Sequence, residues 1–234
     1  MLNKKNQDLF LRRKRAFVDA ASTLIDSQPF GSISIRKIAE TAGFHNSTIY
    51  SYFQDSDWLI SLASVRFLQP YSDALVEISR QNLRPYEYFY AIWNCFCRYA
   101  FSNPALYYNF FFGKYKYQLT ELLDEYYTLF PKIKNNHSPL INTMFQGNNM
   151  YDRCLSILAP LVNEPGARLT DENLEMANFI IVSTLEEYLS SQIREAGTPS
   201  DESYADITMA GEALEDYRKP TAEFLKMLHF IVDS

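Results

Sequence analysis

Long apolar runs, paired cysteines and catalytic signatures are all missing from this 234-residue chain, and each gap narrows what it can be. No apolar stretch approaches the ~20 residues that span a bilayer, so no membrane segment is expected. The opening Met1-Leu2-Asn3-Lys4-Lys5 has no apolar core of a secretory leader, and a cytoplasmic chain is expected. Cys95, Cys97 and Cys154 are an odd number. Cys95 and Cys97 lie two apart in a helical pattern and point to different faces, so they suit neither a disulfide nor a shared metal. They read as reduced core thiols. P-loop, GxGxxG, HExxH, GxSxG and CxxC patterns are absent. His45, His137 and His229 are scattered without metal-ligand spacing, and His137 reads as a surface loop residue. Glu186-Glu187 and Glu215-Asp216 are adjacent acids that cannot share a helix face. No enzyme, metal site or cofactor is expected. Strand-type alternation is not sustained anywhere, and no hairpin dipeptide links two apolar runs. The fold expected is all-α.

What is present is concentrated in residues 34–53, which read as two short helices joined by a tight turn at Gly43. Ala39 sits one helical turn before that glycine, where two closely crossing helices leave no room for a larger side chain. Ile35, Ile38, Ala42, Phe44, Ile49 and Phe53 fall where the pair faces a third helix. The second helix then offers Asn46, Ser47, Thr48, Tyr50, Ser51 and Tyr52, a small, polar and aromatic face without an acid. Such a face suits the edge of a DNA major groove.

A net charge of −6 argues against a nucleic-acid partner only until its distribution is read. Residues 1–53 carry eight Lys/Arg against four Asp/Glu, whereas the remainder carries 14 against 24. A basic end on an acidic body serves a protein that meets phosphate at one end; chance asymmetry of surface charge fits the same numbers.

In chain order, Phe17, Ala20, Ala21, Leu24 and Ile25 predict a first helix over 8–28 whose early turns carry Arg12, Arg13, Lys14 and Arg15. These four are either a solvated helix end or contacts to a DNA backbone. Ser34 stands where it caps the next helix, with its hydroxyl or a free N–H available to a phosphate. Asp55 or Ser56 starts a fourth helix running to about residue 80, kinked or broken at Pro70. Residues 86–130 hold 18 of the 36 aromatics, divided into helices near 85–101, 104–112 and 116–129. They fit an aromatic-rich core, an apolar ligand cavity with a few polar tips, or both at once. Tyr90, Trp93, Phe96, Tyr107, Phe110, Phe111 and Tyr126 are the cavity candidates. A short helix is expected around 139–145 and another over 150–163, distorted by Pro160. Asp171 opens a helix to Ala196, and a last pattern spans about 203–232, interrupted at Pro220. Both late helices are apolar around much of their circumference, which predicts a four-helix interface between two copies, or an intramolecular core.

Residues 10–60 resemble the DNA-binding domain of the tetracycline-repressor (TetR) family of bacterial regulators. Phe30-Gly31, Ser34, Arg36, Ile38-Ala39, Ala42-Gly43, Thr48, Tyr50, Phe53 and Leu59 carry the resemblance. It implies a helix-turn-helix domain over 8–54 and an effector-binding and dimerisation domain over 55–234. It also implies a homodimer, here through helices near 171–196 and 203–232, and repression of a palindromic DNA operator relieved by a small, hydrophobic or aromatic effector. By position, Ser34, Thr48, Tyr50 and Tyr52 fall where the family touches phosphates, and Arg36, Asn46, Ser47 and Ser51 where it reads or approaches bases. Tyr50 also fits partial packing under the recognition helix. Two departures stand out. His45 takes the usual capping serine's place, adding a phosphate contact or passing the cap to Asn46. Ser56, flanked by Asp55 and Asp57, replaces the usual lysine, so Arg12–Arg15, Arg36 and Lys37 are expected to carry the backbone affinity. The acidic start of that helix also fits an effector-binding or interaction member with weakened DNA binding.

Overall fold

The structure, a computed structural model, describes residues 4–131, 137–196 and 217–233. The fold is all-α: among the described residues the one β feature is an isolated bridge between Ala167 and Asp233. The chain forms two compact units, one from Met1–Gln69 with Gln118–Lys134, the other from Pro70–Tyr117 with Asn135–Ser234.

In the first unit, α1 (Lys4–Ser27) buries Phe17, Val18, Ala20 and Ala21. Its start lies four residues before the expected one, because polar Lys4–Asp8 continue the helix without needing a core. Ser34 caps α2 (Ile35–Ala42) by accepting from the Lys37 N–H at 3.4 Å. Gly43 ends it in the left-handed region, φ 75°, where an L side chain is strained. Phe44 N–H then reaches back to the Ala39 carbonyl at 2.9 Å. The second helix of the pair is not an α-helix but a six-residue 3-10 segment, Asn46–Ser51. Asn, Ser and Thr at its start offer the backbone side-chain partners that compete with an α ladder, and the short buried stripe through Ile49 and Phe53 accepts the tighter winding. Asp55 caps α3 (Ser56–Ser64), its Oδ1 accepting from Trp58 N–H at 2.9 Å. A 3-10 turn over Val65–Leu68 follows.

The expected fourth helix is thus three pieces: α3, this turn and α4 (Gln69–Ser79), with Pro70 inside the first turn of α4, where its missing N–H costs nothing. The first unit takes in α3 and is completed from a distant stretch. For α7 (Leu119–Leu129), Leu119, Leu122, Tyr126 and Leu129 turn inward against α1 and α3. Glu125 of α7 accepts from Trp58 Nε1 at 3.1 Å and pairs with Lys14 Nζ at 2.8 Å.

The second unit is built on aromatics. Pro85 opens α5 (Pro85–Ser102) and Pro104 opens α6 (Pro104–Phe112), both in the first turn, where proline is tolerated. α6 ends at Gly113, where the backbone turns extended and a Cβ would stand 2.2 Å from the Asn109 carbonyl oxygen. Ser138 caps α8 (Pro139–Gln146) and Asn149 caps α9 (Met150–Leu158). The long α10 (Leu174–Ala196) starts three residues after Asp171, which lies in a turn held by Thr170 N–H donating to Asn173 Oδ1 at 2.9 Å. The last described helix, α11 (Arg218–Val232), has Pro220 in its first turn. The part of the last predicted helix before Tyr217 lies outside the described residues. α10 packs on α6 and α9, α11 on α5, and α8 on α9, around Phe89, Ile92, Trp93, Phe96, Phe110 and Phe224. His137 is half-buried: Nε2 lies 3.0 Å from the Ser72 carbonyl oxygen, and its ring meets Phe145 at 5.1 Å. It is therefore not a loose surface residue.

Candidate nucleic-acid interface and ligand cavity

The 3-10 segment of the first unit is pinned on its inner side and open on its outer side. Ile49 is buried, and Thr48 and Tyr52 are half-buried. Asn46, Ser47, Tyr50 and Ser51 are exposed, Tyr50 at 62%. A large aromatic left this open in a well-packed unit contributes little to folding there, and it is set by the same backbone that buries Ile49 one residue earlier. It does not pack under the segment. Tyr52 leans back on Phe10, ring centroids 4.8 Å apart, and its hydroxyl accepts from Arg13 at 3.4 Å. His45 keeps the cap: Nδ1 accepts from Ser47 N–H at 3.4 Å and lies 2.8 Å from the Ser47 hydroxyl.

The cations divide in two. Arg12 and Arg13 are exposed at the start of α1. Lys14 and Arg15 turn inward instead, to Glu125 and to the Leu129 carbonyl. Lys37 Nζ donates to Gln28 Oε1 and the Ser32 carbonyl, both at 3.0 Å, tying down the loop before α2. Arg36 pairs with Glu40 at 2.8 Å, and the carboxylate holds the guanidinium's pKa above its usual value. This pair is fully exposed and readily exchanged for a phosphate. Of the six cations expected to carry backbone affinity, Arg12, Arg13 and Arg36 point outward, Lys14 and Arg15 are engaged by an acid and a carbonyl of α7, and Lys37 is exposed but tied to the loop before α2.

In the second unit, ten residues enclose about 20 Å³ of free space, room for about one water. Trp93, Phe96 and Phe111, three of the seven aromatics expected there, line it; so do Tyr71, Ile92, Met144, Met150, Arg153, Cys154 and Ile157. Tyr107 and Phe110 are buried beside Phe111 and Phe96 without reaching the cavity. Tyr90 is elsewhere, donating to Asp233 Oδ1 at 2.6 Å and stacked 4.3 Å over the His229 ring. Tyr126 belongs to the first unit altogether, on the inward face of α7. Neighbours in a dense aromatic run are not neighbours in space when the helix between them turns its apolar face to another core.

Arg153 was not singled out by sequence. It is 5% exposed on α9, at the centre of the stripe Met150, Arg153, Cys154, Ile157. That i, i+3, i+4, i+7 spacing is the signal that could have found it. Its Nε donates to the Gly147 carbonyl at 2.9 Å, and its guanidinium lies between the rings of Phe111 and Phe145, 5.7 Å from each centroid. Gly147 meets the start of α9 without a side chain: a Cβ there would sit 2.8 Å from both the Arg153 backbone N and Arg153 Cγ. Nη2 is buried without a partner, and among the described residues no carboxylate pairs with the group. Burial pulls its pKa from the usual arginine range down to about 10, so it remains charged at neutral pH. Burial also disfavours the reactive thiolate of the three cysteines: it raises Cys95 to about 11 and raises Cys97 and Cys154 further.

Residues 17–60 match the family model of the bacterial regulatory proteins of the tetR family. Similar solved structures include SmeT, the repressor of the Stenotrophomonas maltophilia multidrug efflux pump SmeDEF, at 12% identity over 94% of this chain and 90% of that one, TM-score 0.49. Another is Thermus thermophilus FadR, a TetR-family transcriptional repressor in complex with lauroyl-CoA, at 16% identity over 91% of this chain and 93% of that one, TM-score 0.48. No curated protein matches the sequence.

Proposed function

We propose, for a chain whose N-terminal domain belongs to the TetR family of bacterial regulatory proteins, that it is a dimeric repressor released from a palindromic operator by a small hydrophobic molecule. The observation that carries the DNA-reading part is the open, acid-free face of the 3-10 segment, with Tyr50 outermost. Asn46, Ser47 and Ser51 are short donors and acceptors suited to base edges, while Ser34, Tyr50, Tyr52 and His45 Nε2 suit phosphates. Two such faces in successive major grooves require a spacing of about 34–36 Å, hence a roughly palindromic site.

Pairing of two copies is supported by apolar side chains that the second unit leaves in solvent. Met176, Phe179 and Ile180 share a face of α10 and are 63%, 57% and 41% exposed; Phe230 of α11 is 79% exposed. A second copy covering them is the four-helix contact expected of these helices. The switch would begin at Tyr71, the α4 residue in the cavity wall, since α4 continues through the 3-10 turn into α3. A ligand must enlarge the 20 Å³ space, and movement of α4 is one way to do so. A coupling of about 1–3 kcal/mol between sites is enough to change occupancy.

The test is fluorescence anisotropy of the purified protein on DNA from its own promoter region. Tyr50→Ala is expected to lower affinity at least about tenfold, roughly 1.4 kcal/mol, with its helical circular dichroism unchanged. Wild-type affinity in that variant refutes the reading. A second reading, a member with weak DNA binding, draws on the internal engagement of Lys14, Arg15 and Lys37. Three outward arginines per copy give a dimer a log–log salt slope of roughly −5; no binding to any fragment at low salt favours the second reading.

A further inference from the structure

The cavity of the second unit is apolar in its walls and cationic at one point. Tyr71, Ile92, Phe96, Phe111, Met144 and Met150 supply rings and flexible thioethers. Arg153 supplies a guanidinium with an unpartnered Nη2, and Trp93 an indole N–H that also lacks an acceptor. Both orphaned groups are donors. The nearest acid along the chain, Asp152, is taken by Asn149 Nδ2 at 2.7 Å and the Asn148 N–H at 3.3 Å. A buried, unpaired cation is costly, and natural cores rarely keep one unless an anion arrives to meet it. Its place is also built: Nε donates to the Gly147 carbonyl at 2.9 Å and holds the guanidinium at the cavity wall.

We propose that the ligand of this cavity is an amphipathic carboxylate, its anionic head paired with Arg153 and its aryl or alkyl tail displacing Met144 and Met150. This rests on the reading of the cavity as the effector site and names the chemical class of the effector. A planar carboxylate fits the fork of a guanidinium bidentately, and it is the acceptor that Arg153 Nη2 and Trp93 Nε1 both lack. Methionine walls accommodate the tail because an unbranched thioether changes rotamer cheaply. The 20 Å³ of existing space marks where the walls part.

The test uses the full chain and matched probe pairs, decanoate against decanol and 4-phenylbutyrate against 4-phenylbutanol, in isothermal titration. The expected result is one site per chain with at least one carboxylate bound tenfold or more tighter than its alcohol. Arg153→Met should bring that ratio to within about twofold while the alcohol's own affinity persists. Arg153→Lys, which keeps the charge but loses the planar fork, should lower the ratio without bringing it to that of Arg153→Met and guards against a misfolded first variant. Equal binding of acid and alcohol by the wild type, no binding of either, or a preference surviving Arg153→Met each overturns the proposal. Operator release is measured separately. Carboxylates that bind through Arg153 without releasing DNA leave the site standing and remove the switch. Release by a neutral ligand that competes with no carboxylate does the reverse.

Discussion

Replacing Arg153 by methionine should leave the stability of the ligand-free protein nearly unchanged. The wild-type guanidinium is 5% exposed and burial lowers its pKa to about 10. Relative to the usual arginine value this is roughly 3 kcal/mol set against the charged form. Methionine forfeits the charge-assisted hydrogen bond from Nε to the Gly147 carbonyl, about 1.5 kcal/mol, and two desolvated ring contacts worth about 1 kcal/mol each. The balance lies within about 1 kcal/mol of zero, or within about 2–4 °C in melting temperature for a chain of this length. Differential scanning calorimetry without ligand reads it directly. The pH dependence has a definite sign. The folded pKa lies below the unfolded one, so the unfolded state holds more protons only above about pH 10, and there the wild type gains stability as pH rises. The stability difference between the two should therefore be level from pH 6 to 9 and move in favour of the wild type above 10. A loss of more than about 2 kcal/mol in Arg153→Met would refute the reasoning, because it would make the arginine a structural tie rather than a retained, unmet charge.

Gly43→Ala places a side chain at φ 75° and should destabilise the first unit by about 1–2 kcal/mol; urea unfolding followed by Trp58 fluorescence measures it. At pH 8, maleimide should label Cys95 slowly and Cys97 and Cys154 only after denaturation, as the raised thiol pKa values require; mass spectrometry counts the adducts. Rapid labelling of all three in the native protein would contradict the burial on which the cavity wall depends.

The turn at Gly43, the cap at Ser34, the helix start at Asp55 or Ser56 and the divisions after residues 101 and 112 were all legible in the sequence, because each is decided by a residue and its immediate neighbours. The 3-10 winding of 46–51 was not. Apolar residues three and four apart bury equally well in both windings, and the choice is made by weak local propensities. The membership of α7 was hidden for a different reason. Periodicity tells which face of a helix is apolar, not which core receives it, so Tyr126 was grouped with aromatics close in sequence. Arg153 was overlooked because a lone cation in a helix reads as a solvated residue, until its three stripe-mates are seen to be buried with it.

The return of residues 118–134 to the first unit bears on how such a protein can be taken apart. A cut near residue 69 would leave the reading head without Glu125 and the Leu129 carbonyl, stranding Lys14, Arg15 and Trp58 and baring the apolar sides of α1 and α3. The head is not a cassette that one splice can transplant. A chimera that keeps this first unit on another body must carry two segments, and the second must be grafted into the host by both its ends.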